Sequence, residues 1–156
     1  MPNLILLFVC TGNTCRSSMA EILFRDMLEK EGMNGIEVRS AGISAFEGQG
    51  ASSQAIEVMK ERGLDLSSHR ATRLTSDLIR QADLILTMTE SHKNLVKIME
   101  PAAFDKTYTL KEYVGESPTD ITDPYGQAVE VYRHCALEIE KSLKKLIEKL
   151  KTEPVC

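Results

Sequence analysis

An α/β fold, with a four-stranded parallel sheet and helices on both faces, is predicted by three features of the sequence. Short apolar runs alternate with stretches of helical period. The first run, Leu4 to Val9, is apolar at every position, as in a central strand buried on both sides. Length is the third feature. At 156 residues the chain suits one domain with a substantial core and is short for two, so residues 1–156 read as a single domain.

The first strand runs into Cys-Thr-Gly-Asn, and a helical pattern begins at Ser17 with Ala20, Leu23, Phe24, Met27 and Leu28 on one face. Gly32 ends it. Ile36 to Arg39 reads as a second strand, followed by Ser40-Ala41-Gly42 as a turn. A helix then spans about Ser52 to Arg62, with Ala55, Val58 and Met59 inward, and stops at Gly63. A short helix, Leu74 to Gln81, leads into a third buried strand at Leu84-Ile85-Leu86. Glu90 to Met99 forms another helix, carrying Leu95, Ile98 and Met99 and closed by Pro101. Lys106 to Leu110 is the fourth strand. An irregular segment from Gly115 to Gly126 precedes a long helix, whose inner face runs from Ala128 and Tyr132 through Cys135, Ala136, Ile139 and Leu143 to Leu146, Ile147 and Leu150. Glu140 and Lys144 form a spacing-four pair on its outer face.

Hydrophobic content of 42% and charged content of 27% are ordinary for a globular chain. No run approaches the roughly 20 apolar residues that span a bilayer. The apolar start is too short for a secretory leader and lacks basic residues before it, which points to the cytoplasm. A formal charge of −4 disfavours nucleic acid as a partner. Four cysteines do not make a disulfide framework. The three histidines are scattered and no Cys or His pair has zinc spacing, so neither metal nor cofactor is implied.

In sheets of this kind ligands lie beyond the carboxyl ends of the strands, where the strand order reverses. The segment Cys10-Thr11-Gly12-Asn13-Thr14-Cys15-Arg16-Ser17 stands at such a place, between the first strand and the first helix. With Gly12 free to adopt a positive φ, the loop can turn successive N–H groups inward as an anion nest. The helix start adds its positive end. Arg16 offers a planar fork that matches two phosphate oxygens. A cysteine in such a cup is favoured as the thiolate, a nucleophile toward phosphorus. Singly, a cysteine after a strand reads as packing and Gly-Asn as a turn. The joint order of strand, Cys, five residues, Arg, Ser and helix carries the chemistry. A Walker A loop is excluded, since no Gly-Lys-Ser/Thr follows Gly12.

A phosphorylated oxygen or nitrogen leaves poorly unless it is protonated, so a general acid is expected across the pocket. Asp123, in Thr-Asp-Pro-Tyr-Gly at the head of the last helix, is the candidate. Asp120 is a nearby competitor, and a helix cap or turn carboxylate is the plainer role for Asp123.

The segment Val9 to Ser17 resembles the phosphate loop of low-molecular-weight protein tyrosine phosphatases. The resemblance extends, in order, to Ser40-Ala41-Gly42, Ser68-His69-Arg70-Ala71, Ala82 to Met88 and Asp123-Pro124-Tyr125-Gly126, nearly the full chain. It implies a small parallel α/β domain in which Cys10 attacks phosphorus, Arg16 and the loop from Thr11 to Ser17 hold the phosphate, and Asp123 acts as acid. The same Asp123 would then activate water against the cysteinyl-phosphate. The resemblance also implies that Asn13 braces the loop through Ser40 and His69, and that Ser17 hydrogen-bonds the Cys10 sulfur. Cys15 would trap an oxidised Cys10 as a disulfide, while Cys135 reads as core. One departure is Ser18, where family members usually carry Pro; it bears on the rigidity of the helix start, not on the reaction.

The resemblance makes phosphorylated proteins the substrates. Thr14 stands where many tyrosine-specific members carry an aliphatic residue, and a protein-arginine-phosphatase branch carries Thr there. The segment Tyr108 to Val114 also resembles that branch. A hydroxyl at the pocket wall suits a guanidinium better than a phenyl ring, and Asp123 can hold that cation. Tyr125 and Phe46 suit an aromatic ring but can also stack on guanidinium. Phosphoarginine is therefore favoured, with phosphotyrosine as the alternative. An arsenate reductase of the same scaffold would need relay cysteines in mid-chain, and residues 34–121 contain none. A non-catalytic phosphate-binding module would require an inert Cys10.

Overall fold

Four strands form one parallel sheet in the order β2–β1–β3–β4: β1 (Leu4–Cys10), β2 (Ile36–Gly42), β3 (Leu84–Thr87) and β4 (Thr107–Thr109). The structure is a computed structural model that describes residues 4–153; Cys156 lies outside them. The connections carry α1 (Arg16–Lys30), α2 (Ser53–Glu61), α3 (Ser76–Gln81), α4 (Glu90–Met99), α5 (Leu110–Tyr113) and α6 (Val129–Thr152). A 3-10 helix occupies Pro101–Lys106.

Alternation along β1 divides the core into two layers. Leu6, Phe8 and Cys10 share one with Met19 and Phe24 of α1, Met59 of α2 and Tyr132 and Ile139 of α6. Phe8 and Phe24 meet edge-on, with ring centroids 6.0 Å apart. Leu7 and Val9 share the other layer with Ile79 of α3, Ile85 of β3 and Val96 of α4. The chain leaves β1 for one side and later returns to β3 on the other. The order therefore reverses at the carboxyl ends of β1 and β3.

Several boundaries differ from the sequence expectation. Ser40-Ala41-Gly42 is not a turn but the end of β2, paired with Phe8, Val9 and Cys10. A Cβ at residue 42 would lie 2.6 Å from the Thr11 carbonyl oxygen, so this close approach requires glycine. α3 begins at Ser76 rather than Leu74, because the Thr75 hydroxyl caps it by accepting from Leu78 N–H. The fourth strand is cut to three residues by a capping box between Thr109 and Glu112, which starts α5 at Leu110.

On α4 the large apolar residues named from the sequence are not the buried ones. Leu95, Ile98 and Met99 are exposed at 41%, 74% and 38%, and His92 and Val96 are buried instead. With only three residues in β4, the sheet behind α4 is too narrow to cover a wide apolar face. On α6 the predicted stripe is buried from Tyr132 to Ile147, but Ala128 is the N-cap. Glu140 pairs with Arg62 at 3.2 Å, not with Lys144. Among the described residues no helix is long and apolar enough to cross a membrane.

Candidate active site

The loop from Cys10 to Arg16 joins β1 to α1 at the reversal of strand order. Gly12 was expected to supply the positive φ; Asn13 does so, at 57°. Asparagine tolerates this region, and here its side chain is fixed from three directions. Thr72 N–H donates to Asn13 Oδ1 at 2.8 Å, which sets the amide orientation. Its Nδ2 then donates to Ser17 Oγ at 2.8 Å and to Ser40 Oγ at 2.9 Å. His69 Nε2–H donates to the Asn13 carbonyl at 2.7 Å. The structure thus brings Asn13, Ser40 and His69 together.

This orientation has a consequence at the sulfur. Ser17 Oγ accepts from Asn13, so its own hydrogen is free for Cys10 Sγ, 2.8 Å away. Asn13 N–H also points at the sulfur, at 3.3 Å. The N–H groups of Gly12, Thr14 and Cys15 have no acceptor among the described residues, which leaves a ring of donors for an anion. α1 begins at Arg16, one residue earlier than predicted, and Ser18 Oγ donates to the Cys15 carbonyl at 2.9 Å. That bond ties the start of α1.

Arg16 is buried and aimed from the segment before α6. Its Nη1 donates to the Ile121 carbonyl at 2.9 Å, and its Nη2 lies 3.5 Å from Asp123 Oδ2. Asp123 is no helix cap, since α6 starts at Val129; its Oδ1 accepts from Tyr125 N–H at 3.0 Å in a turn. Asp120 instead accepts Glu90 N–H at the start of α4, at 2.8 Å. Cys10, Thr14, Arg16, Asp123, Phe46 and Tyr125 line one pocket of about 240 Å³, with Phe46 and Tyr125 largely exposed.

Cys15 lines the same pocket, its thiol 3.3 Å from Tyr132 OH and 3.6 Å from Ser52 Oγ. Burial, followed by the bond to Cys15, pushes the Tyr132 phenol up to about 12. Cys135 is core; burial pushes its thiol up to about 12, which leaves it inert. Among the described residues no cluster of His, Cys, Asp and Glu is placed to hold a metal.

Comparison with known proteins agrees with this geometry. The family profile described as Low molecular weight phosphotyrosine protein phosphatase matches residues 5–155. The chain belongs to that family. It is 46% identical to the protein-arginine-phosphatase of Geobacillus stearothermophilus, over 95% of this chain and 97% of that one. A probable low-molecular-weight protein-tyrosine-phosphatase of Ralstonia nicotianae is 36% identical, over 94% of this chain and 95% of that one. The structure of the YwlE arginine phosphatase from Geobacillus stearothermophilus superposes with a TM-score of 0.88 at 45% identity, covering 96% of this chain and 94% of that one. A YwlE mutant with a phosphorylated active-site serine superposes at 0.92 with 40% identity, covering 97% and 98%.

The family pattern finds the loop and Asp123, but not His92. Its Nε2 lies 2.8 Å from Thr11 Oγ1, and its Nδ1 is buried without a partner among the described residues. Burial, then the Arg16 guanidinium, holds the imidazole down at about 4, with Asp123 and Asp120 opposing. Nothing local in the sequence marks this histidine. Only the pairing of β1 with β3 brings it to Thr11.

Proposed function

We propose that this chain is a protein-arginine phosphatase working through a cysteinyl-phosphate. Cys10 Sγ attacks phosphorus as the bond to the guanidinium nitrogen breaks, and protonated Asp123 gives its proton to that nitrogen. Asp123 then takes a proton from water, the water oxygen attacks the cysteinyl-phosphate, and the P–S bond breaks to release phosphate and the thiolate. Arg16 and the loop N–H groups hold the phosphoryl oxygens throughout, while the Ser17 hydroxyl supports the departing sulfur.

The observation that carries phosphoarginine is the pocket wall. Thr14 and Asp123 set a hydroxyl-bearing and a carboxyl-bearing side chain in the otherwise mostly apolar wall of the pocket that holds Cys10, and both groups suit a guanidinium. The 46% identical relative with that activity supports the same reading. Phosphotyrosine is the second reading, favoured by the aromatic faces of Phe46 and Tyr125 at the same pocket. Hydrolysis of phosphoarginine and phosphotyrosine peptides by the native chain and by Thr14→Ile separates them. The native chain should prefer phosphoarginine, and the variant should shift toward phosphotyrosine. An unchanged ratio removes the argument from Thr14.

The free thiols of Cys10 and Cys15 on one pocket support redox control in a reducing compartment, the cytoplasm. Peroxide converts the Cys10 thiolate to a sulfenic acid; Cys15 then attacks that sulfur, and a disulfide and water form. Mass spectrometry after mild peroxide should find the Cys10–Cys15 bridge. Cys10 sulfinate without a bridge excludes it.

A further inference from the structure

His92 is a buried polar side chain to which the phosphate-loop chemistry gives no task. It is 5% exposed, with Nε2 on the Thr11 hydroxyl at 2.8 Å and Nδ1 without a partner among the described residues. Thr11 itself is exposed and lines the pocket above Cys10. We propose that His92, as the neutral Nε2–H tautomer, is a positioning residue: it donates to Thr11 Oγ1 and leaves the Thr11 hydroxyl hydrogen free for an oxygen of the bound phosphoryl group. The assignment rests on the phosphoryl group occupying the loop from Cys10 to Arg16.

A neutral imidazole carries one N–H, and its two tautomers give Thr11 opposite polarities. A proton on Nδ1 would be a buried donor with nothing to bind, and Nε2 would then take the Thr11 hydroxyl hydrogen. Thr11 would face the pocket with lone pairs alone, and lone pairs repel an anionic phosphoryl oxygen. A proton on Nε2 leaves only a lone pair unpartnered at Nδ1, and orphaned buried N–H groups are the rarer case in native structures. In that tautomer the Thr11 oxygen accepts from His92 and its hydrogen points elsewhere. Burial and Arg16 keep the ring uncharged near neutral pH, so the choice between tautomers is the one that decides.

The backbone supports the same register. Thr89 Oγ1 accepts from His92 N–H at 3.2 Å, which fixes His92 in the first turn of α4. The parallel pairing of β1 with β3 ends at Val9 and Thr87, so the residues that follow each strand emerge side by side. Thr11 and His92 are 81 positions apart in sequence and adjacent for this reason.

Long-range proton–nitrogen correlation NMR of the native protein reads the tautomer directly. The expected result is a protonated Nε2 and a bare Nδ1 at His92; a protonated Nδ1 overturns the assignment. Thr11→Val keeps the shape and removes the hydroxyl. It should weaken competitive inhibition by inorganic phosphate about tenfold, as expected for one hydrogen bond to a charged group. His92→Leu should cause the same loss in the native background and none in Thr11→Val, while His92→Gln, whose amide can donate, should recover part of it. Additive losses, or unchanged inhibition of a folded Thr11→Val, overturn the proposal. If the native chain does not bind phosphate at all, the phosphate-loop reading falls first and this assignment with it. Should His92→Leu fail to fold, the spectrum of the native protein decides.

Discussion

Asp120 and Asp123 are three residues apart, and both stand near the pocket by sequence. What each is tied to separates them. Asp120 spends Oδ1 on Glu90 N–H at the start of α4, whereas Asp123 reaches Arg16 at 3.5 Å and lines the pocket. Asp123→Asn should therefore lower kcat by about 10²–10⁴-fold, with the larger losses on poorer leaving groups. Asp120→Ala should lower stability by about 1 kcal/mol, as for a lost helix-start acceptor, and leave kcat near native. Steady-state kinetics over a leaving-group series, with urea unfolding, checks both; equal slowing on every substrate counts against Asp123 as the acid. Cys10, Arg16 and Asp123 could be named from the sequence because each belongs to a short contiguous motif, and the structure gathers them at one pocket. The positive φ was misassigned to Gly12 because local permissiveness favours glycine. Asn13 holds that φ through Ser40 and Thr72, 27 and 59 positions away, and no local rule reaches so far.

Elements were legible where one property decides them, and less so where a neighbour does. β1, β3 and the long helix follow from apolar runs and period. The end of β2 does not, because Ser40-Ala41-Gly42 has turn composition and becomes strand only by pairing with β1. Gly42→Ala tests that close approach. Its Cβ would stand 2.6 Å from Thr11 O and 2.8 Å from Asn13 N, both backbone atoms that cannot rotate away. A loss of about 1–3 kcal/mol in unfolding free energy is expected, together with reduced kcat/KM, since the displacement falls on the phosphate loop. α4 gives the opposite case. Ile98 is 74% exposed although it is one of the large apolar residues of that helix, so Ile98→Lys should change stability by no more than about 0.5 kcal/mol. A drop in Tm of the size seen for core substitutions would mean that Ile98 is buried after all.

At the scale of the molecule, the reversal of strand order collects groups that are remote in sequence. β1 and α1 bring Cys10 and Arg16, α4 brings His92, and the segment before α6 brings Ile121 and Asp123. Gathering them has a cost, because a histidine that is largely solvated in the unfolded chain is buried beside an arginine. Folded, His92 accepts a proton only near pH 4; unfolded, it does so near 6.5. Between those values the unfolded chain binds the extra proton, so stability rises with pH across the window. It is fully present above about 6.5 and is lost as pH falls toward 4. Arg16 faces the ring from α1, and Asp123 and Asp120 face it from the segment before α6; burial and the arginine outweigh the two carboxylates. His92→Gln keeps a donor near Thr11 and removes the titration. Urea unfolding at pH 7 and pH 4.5 should therefore show a larger fall in stability for the native chain than for His92→Gln, while other carboxylates titrate in both and cancel. Equal falls in the two proteins would mean that His92 takes up its proton as readily folded as unfolded, against the burial and the Arg16 contact said to hold it down.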